Sequence, residues 1–141
     1  MRSTPRGTSL RRGMAEVVVD ASAMVDLLLG NELGHAVRRR LAGHGMRAPA
    51  HLDAEVLSTL GRLHRAGDLE TDSVEAKLRN LAAAPIQRHN VSDLLLGTWV
   101  RRHQLRLVDA VYVELAVSHD IPLLTTDRRL RDAPSVDVVG I

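Results

Sequence analysis

Short apolar runs alternate with amphipathic stretches along this chain. Val17-Val18-Val19 is a β-branched run, typical of a buried strand, and it ends at Asp20. Val56, Leu60 and Leu63 recur at helical spacing, which predicts a long helix. The same patterns predict further strands over 47–49, 86–89, 122–125 and 136–139. They predict helices over 23–29, 35–42, 53–66, 72–81, 92–102 and 108–118, and a short helical turn over 128–131.

Strands separated by helices are typical of parallel sheets, because a parallel connection needs a crossover that is usually helical. The predicted fold class is therefore α/β, with a parallel central sheet of four to five short strands flanked by helices. Ser22 is expected to cap the first helix, and Asp53 the long helix that Gly67 closes. Ligands bind such sheets outside the carboxyl ends of the strands, so we expect the functional site there.

The composition excludes several classes of function. With 141 residues the chain can form one domain with a real core. It has no cysteine, which excludes a disulfide scaffold, a thiol nucleophile and a cysteine-bound zinc site, and fits a cytoplasmic protein. Trp99 and Tyr112 are too few aromatic residues for a base-stacking platform. Asp20 and Asp26 interrupt the richest apolar stretch, so no run reaches the ~18 residues of a membrane span.

The positive net charge comes from the first 13 residues. The whole chain has 19 basic and 17 acidic residues, a formal charge of +2. Arg2, Arg6, Arg11 and Arg12 lie in that first stretch, which has no acid and no apolar periodicity. Without them, 15 basic residues face 17 acidic ones, a charge of −2. We therefore predict a disordered basic tail over residues 1–13 and a single, slightly acidic domain over 14–141.

Four carboxylates occupy positions where chemistry is expected. Asp20 ends the first strand, Asp127 follows the strand over 122–125 by two residues, and Glu55 and Asp109 flank apolar helical faces. Grouping such acids is costly, because burial and like charges both raise their pKa values. Mg²⁺ or Mn²⁺ would resolve the conflict, since both ions prefer oxygen ligands. The competing interpretation is that each Asp simply caps a helix, the commoner role of Asp at a helix start.

Four segments carry these acids in the order and spacing of a known family. Together they resemble a PIN domain, and the chain is similar to VapC-type toxins of bacterial toxin–antitoxin pairs over about residues 15–141. One such segment alone would be a weak signal, whereas four in register are specific. The segments are Val17-Val18-Val19-Asp20-Ala21-Ser22-Ala23, Ala54-Glu55-Val56-Leu57, Leu107-Val108-Asp109-Ala110-Val111-Tyr112 and Leu123-Leu124-Thr125-Thr126-Asp127-Arg128-Arg129-Leu130.

The resemblance implies a PIN-like fold and a catalytic site. The positions that match the family's site are Asp20, Glu55, Asp109, Asp127, Ser22 and Thr125. In that family the four acids bind Mg²⁺ or Mn²⁺, and the two hydroxyl residues orient the acids and a water. The resemblance thus implies metal-assisted hydrolysis of RNA phosphodiester bonds.

The resemblance also implies partners. Members of the family are usually homodimers, act on tRNA, ribosomal RNA or mRNA in the cytoplasm, and are inhibited by a cognate antitoxin protein. No membrane partner is expected. Two alternatives stay open: a non-catalytic PIN-like module that binds RNA or protein, with the carboxylates serving as caps, and a housekeeping RNA-processing nuclease with the same site.

A few other residues receive ordinary interpretations. Asp26 is expected on a helix face outside the family pattern, and His51 in a loop. Trp99 is expected in the core or at a dimer contact. Arg106 could guide RNA phosphates, and Arg129 could neutralise the acids or contact phosphate.

Overall fold

The computed structural model describes residues 14–141, which form a five-stranded sheet with helices packed against it. The predicted basic tail over residues 1–13 lies outside the described residues. The strands are β1 (Ala15–Val19), β2 (His44–Pro49), β3 (Ile86–His89), β4 (Leu123–Thr125) and β5 (Val136–Val138). The helices are α1 (Ala21–Leu29), α2 (Glu32–Leu41), α3 (Leu52–Arg65), α4 (Thr71–Ala83), α5 (Leu95–Val100) and α6 (Leu107–His119). Two 3₁₀ turns are Val91–Leu94, before α5, and Arg128–Leu130, after β4.

The order of the strands explains where a site can form. All neighbouring strands are parallel, in the order β3-β2-β1-β4-β5. The chain therefore adds β2 and β3 on one side of β1, then returns to add β4 and β5 on the other. Val17, Val18 and Val19 of β1 are buried, as expected for a central strand covered on both faces. The reversal lies between β1 and β4, where diverging connections leave a crevice at the carboxyl ends of both strands.

The predicted α/β fold is confirmed, and most elements lie where the apolar pattern predicts them. The strand over 86–89 matches β3, and the last strand is an edge strand as expected. Strand β2 begins at His44, three residues earlier than predicted, because His44 already pairs with Ala15 of β1. The helix predicted over 92–102 is broken into the 3₁₀ turn Val91–Leu94 and the short α5.

Two predicted helix caps are wrong. Ser22 lies inside α1, and the N-cap is Asp20, whose carboxylate accepts a hydrogen bond from a backbone N–H of the first turn. Asp53 lies inside α3, whose N-cap is His51. Arg88 of β3 holds Asp53 instead, through two hydrogen bonds of 2.7 and 2.9 Å. Within residues 14–141, no helix combines the length and the apolar character that crossing a membrane requires.

Candidate active site

Asp20 lies at the base of the crevice, where β1 passes into α1. Its side chain is 5% exposed and accepts three hydrogen bonds. The donors are Thr125 Oγ1 at 2.5 Å, Ser22 Oγ at 2.8 Å and the backbone N–H of Ala23 at 2.9 Å. Burial raises the pKa of Asp20 to about 6, although these hydrogen bonds favour the ionised form and offset part of the rise. The surroundings of Asp20 therefore do not fully stabilise its ionised form.

Two hydroxyl groups join the end of β4 to the start of α1. Thr125 ends β4, and its Oγ1 accepts a 3.0 Å hydrogen bond from the Asp127 N–H while donating to Asp20. Ser22 Oγ accepts from the Thr126 N–H at 3.1 Å while donating to the other Asp20 oxygen. The two hydroxyl oxygens are 3.1 Å apart. Both carboxylate oxygens of Asp20 are thus fixed by hydroxyl groups, one at the end of β4 and one in the first turn of α1.

Glu55 lies in the first turn of α3 and is held by a neighbour from α6. Tyr112, a buried residue of α6, donates a 2.6 Å hydrogen bond from its hydroxyl to Glu55 Oε1. Burial and this hydrogen bond both raise the pKa of Tyr112, so the phenol stays protonated. The Nε2 atom of His51 is 3.5 Å from the same Glu55 oxygen, and its ring packs against Tyr112 at 4.7 Å between centroids. His51 was predicted to lie in a loop; it is instead the N-cap of α3, beside the site.

Asp109 and Asp127 are each paired with an arginine. Arg106, the N-cap of α6, donates from Nε to Asp109 Oδ2 at 3.1 Å. Arg129 donates hydrogen bonds to both carboxylate oxygens of Asp127, from Nε to Oδ1 at 2.9 Å and from Nη2 to Oδ2 at 2.7 Å. The hydrogen bonds from Arg129 lower the pKa of Asp127, which keeps this carboxylate ionised.

All four predicted acids line one open cleft of about 460 Å³. Its other polar residues include Asp26, Ser58, Thr59, Arg62, Arg106 and Arg129. Ser22 also lines the cleft, whereas Thr125 lies behind Asp20 and is fully buried. Asp20 is buried whereas the other three acids are half-buried, so among the four only Asp20 is almost fully withdrawn from solvent.

The oxygen-rich donor set fits a hard divalent cation in its chemistry, and Asp20 in particular needs a cation beside it. No three His, Asp or Glu side chains within residues 14–141 come close enough together to form a ready-made metal site. Two of the acids are already paired, Asp109 with Arg106 and Asp127 with Arg129. A divalent cation that binds either acid would therefore compete with an arginine for it.

The capping interpretation accounts for part of the site. Asp20 caps α1 and Asp127 caps the 3₁₀ turn that follows β4, as that interpretation expects. It does not account for Asp109, because α6 has Arg106 as its N-cap. Nor does it account for Glu55, which lies within α3 and accepts a hydrogen bond from a side chain of another helix.

Sequence reasoning missed two residues of the cleft. Asp26 accepts a 2.7 Å hydrogen bond from Thr126 Oγ1 and lines the cleft beside Ser22. It follows Ser22 by four positions, and that helical spacing places both on one face, so the signal was present. Tyr112 also lines the cleft, and its hydroxyl contact with Glu55 has no signature in the sequence.

Known proteins resemble this chain in sequence and in fold. The family model described as PIN domain matches residues 17–136. Ribonuclease VapC3 of Mycobacterium tuberculosis is 56% identical over 127 residues, which cover 89% of this chain and 93% of that protein. The crystal structure of Mycobacterium tuberculosis VapC20, described as a sarcin-ricin loop cleaving toxin, has a TM-score of 0.65 at 21% identity over 88% of this chain and 99% of that one. A toxin–antitoxin complex from Klebsiella pneumoniae has a TM-score of 0.55 at 15% identity, over 86% of this chain and 96% of that one.

Proposed function

This chain belongs to the PIN-domain family as a VapC-type member, and from that premise we propose that it is a divalent-metal-dependent endoribonuclease, the toxin of a toxin–antitoxin pair. The observation that carries the proposal is the meeting of four carboxylates in one cleft at the carboxyl ends of β1 and β4. The carboxylates of the cleft can bind a cation, and the arginines around them can bind the phosphates of an RNA.

We assign the cation, Mg²⁺ or Mn²⁺, to Asp20 and Asp109 first and to Glu55 next, with Asp127 as a ligand or as the group that positions the attacking water. When bound, the ion would supply Lewis-acid chemistry at the phosphodiester. The chain itself orients the acids: Thr125 and Ser22 fix the two oxygens of Asp20. Tyr112 fixes one oxygen of Glu55 and leaves its other oxygen free to ligate.

The partners we propose are an antitoxin, an RNA and a second copy of the chain. The RNA is a tRNA, a ribosomal RNA or an mRNA. Because these RNAs are found in the cytoplasm, we propose that the protein acts there. For the homodimer we propose the α5–α6 face, defined as Leu95, Leu96, Trp99, Leu107 and Val108. These residues are exposed although they are apolar, and together they line a groove next to the cleft. Trp99 is therefore not a core residue, and its role at a dimer contact stays a prediction.

Cleavage of bacterial tRNA and ribosomal RNA by the purified, antitoxin-free protein tests the proposal. We expect discrete fragments with Mg²⁺ or Mn²⁺ and none with EDTA. Asp20→Asn and Asp109→Asn should each lower the cleavage rate by at least about 100-fold, because each removes a charged ligand. Asp72→Asn is the matched control, since it changes an exposed Asp of α4 outside the cleft and should cut at the wild-type rate.

Two outcomes would contradict the proposal in different ways. Intact RNA in every lane, from folded protein, would favour the non-catalytic binding module. Cutting by folded Asp20→Asn at the wild-type rate would show that the carboxylate site does not carry the reaction. A neighbouring antitoxin gene would separate a toxin from a housekeeping nuclease with the same chemistry.

A further inference from the structure

The two arginines that hold Asp109 and Asp127 approach the cleft from the solvent side. Their side chains are exposed, Arg106 to 68% and Arg129 to 74%, whereas both acids are only 18% exposed. Arg129 is in the 3₁₀ turn after β4, and Arg106 precedes the first turn of α6. Each guanidinium is thus an exposed positive charge paired with a less exposed carboxylate.

The pair of Arg106 with Asp109 rests on one hydrogen bond and is of a kind that breaks easily, whereas the bidentate pair of Arg129 with Asp127 is the stronger of the two. Exposed pairs between arginine and a carboxylate stabilise a protein only weakly, because water solvates both partners well and the long side chain loses freedom when it is held. A divalent cation in the cleft would attract the same carboxylates with twice the charge. The cation and the two guanidiniums therefore compete for Asp109 and Asp127.

A third arginine of the cleft provides an internal comparison. Arg62 of α3 donates to two hydroxyl groups, Ser58 Oγ at 3.1 Å and Thr59 Oγ1 at 3.0 Å. Within residues 14–141 it forms no ion pair, yet it lines the same cleft as Arg106 and Arg129. Arg62 can therefore contact a phosphate without first releasing an acid.

We propose that Arg106 and Arg129 exchange partners during the binding cycle. They neutralise Asp109 and Asp127 in the cation-free protein, a divalent cation displaces them, and the released guanidiniums then bind phosphates of the RNA backbone. This inference rests on the proposed function, since it requires a cation at these acids. Its consequence is that the cation and the RNA bind with positive coupling, each strengthening the other by the same factor.

Titration calorimetry with Mn²⁺ alone tests the first half of the exchange. Arg129→Gln and Arg106→Gln remove a competitor, so each should bind Mn²⁺ about two- to fivefold more tightly than the wild type. Arg62→Gln removes the same charge from the same cleft without freeing a carboxylate, so its gain should be clearly smaller. An equal gain in Mn²⁺ affinity in all three variants would mean that only the loss of a positive charge from the cleft matters. That result would overturn the exchange.

Binding of a 2′-O-methylated RNA oligonucleotide, checked on gels to stay intact, tests the second half. Wild-type protein should bind it more tightly with Mn²⁺ than with EDTA. The double variant Arg106→Gln/Arg129→Gln should lose most of that gain, whereas Arg62→Gln should bind more weakly in both buffers and keep the gain. An oligonucleotide affinity that does not respond to Mn²⁺ in the wild type would overturn the coupling.

Asp20→Asn distinguishes the failure of this inference from the failure of the proposed function. If wild-type protein binds no Mn²⁺, or if Asp20→Asn binds it equally well, the metal site itself is wrong and the exchange is wrong with it. If Mn²⁺ binding needs Asp20 but is equal in Arg129→Gln and Arg62→Gln, the proposed function stands and only the exchange is overturned.

Discussion

Asp20 illustrates how one side chain can prepare a site for a cation. Its oxygens are fixed by the Thr125 and Ser22 hydroxyls, so little side-chain freedom remains to be lost when a ligand binds. Its burial makes the ionised form costly, and the pKa of about 6 expresses that cost. A cation beside Asp20 would offset the free-energy cost of ionising this buried carboxylate. Without the cation, that cost lowers the stability of the folded protein.

The pKa of Asp20 predicts a pH dependence of stability in EDTA. Between its ordinary value of 3.8 and about 6, the folded chain keeps this proton while the unfolded chain has released it. The free energy of unfolding therefore falls as pH rises through this window, by about 3 kcal/mol from this group, and stays low above it. Asp20→Asn cannot titrate and should lack this component.

Urea denaturation of the wild type and Asp20→Asn, at intervals from pH 3.5 to 7.5, measures this component. The difference in unfolding free energy between the two proteins should shift by about 3 kcal/mol in favour of the variant over that range. Taking the difference cancels the titration of the other acids. If the difference in unfolding free energy stays constant across the range, the pKa of Asp20 is not raised by folding.

Residues that the sequence could assign to the site are those with a positional signal. Asp20 was identifiable because a buried β-branched run rarely ends in an acid without a polar role, and Asp127 because it follows the predicted strand over 122–125. The partners of these acids were less accessible. Whether Arg129 or Arg128 would turn toward Asp127 depends on the 3₁₀ geometry of their turn, and the reach of Tyr112 to Glu55 depends on how α3 and α6 pack.

Helices α1 and α2 meet at one very close backbone contact. Gly34 of α2 is buried against the carbonyl oxygen of Asp26 in α1. A Cβ atom at Gly34 would collide with that oxygen, and because the obstacle is backbone, the two helices would have to separate. Helix α1 also carries Ser22 and Asp26, so this contact positions one wall of the cleft.

The contact predicts opposite effects for the same substitution at two helical glycines. Gly34→Ala should destabilise the protein by at least about 2 kcal/mol, since it overpacks a backbone contact. Gly61→Ala should stabilise it by about 0.5–1 kcal/mol, because a Cβ at this position of α3 meets only the Arg65 side chain, at 3.7 Å, and alanine favours the helix. Urea midpoints of both variants against the wild type measure the signs. Equal effects would show that the α1–α2 contact is looser than described.

At the scale of elements, periodicity predicted which segments form helices and strands but not how their ends are made. Several capping residues lie near the start of α1, and the choice between Asp20 and Ser22 depends on backbone geometry that composition does not specify. The break before α5 has a similar origin. Leu94 is buried whereas Leu95 and Leu96 are exposed, so these consecutive apolar residues do not form one helical stripe.

At the scale of the whole molecule, the part of the chain that the structure describes presents a markedly apolar surface. On the α5–α6 face, Leu96 is 85% and Trp99 54% exposed. His51 lines both this groove and the surroundings of Glu55, so a second copy bound here would lie next to the cleft. A face of this kind is costly in water and favours association.

The α5–α6 face predicts a dimer that one substitution disrupts. Leu96→Glu should convert the dimer to a monomer, because it places a charge in the centre of an apolar contact while leaving the core untouched. Leu57→Glu, which changes an exposed leucine of α3 outside this face, should stay dimeric. Light scattering after size-exclusion chromatography measures the mass of each. A monomeric wild type at micromolar concentration, or a dimeric Leu96→Glu, would be incompatible with this interface.

The hydrogen bond between Asp20 and Thr125 joins residues 105 positions apart, and this distance has a consequence during translation. At about 5–20 residues per second, a ribosome needs roughly 5–20 s to go from one residue to the other. Until then the nascent chain carries Asp20 without the strand that orients it, and Asp127 does not yet exist. The proposed nuclease therefore lacks a complete site throughout most of its own synthesis and cannot cut RNA until nearly the whole chain has been made.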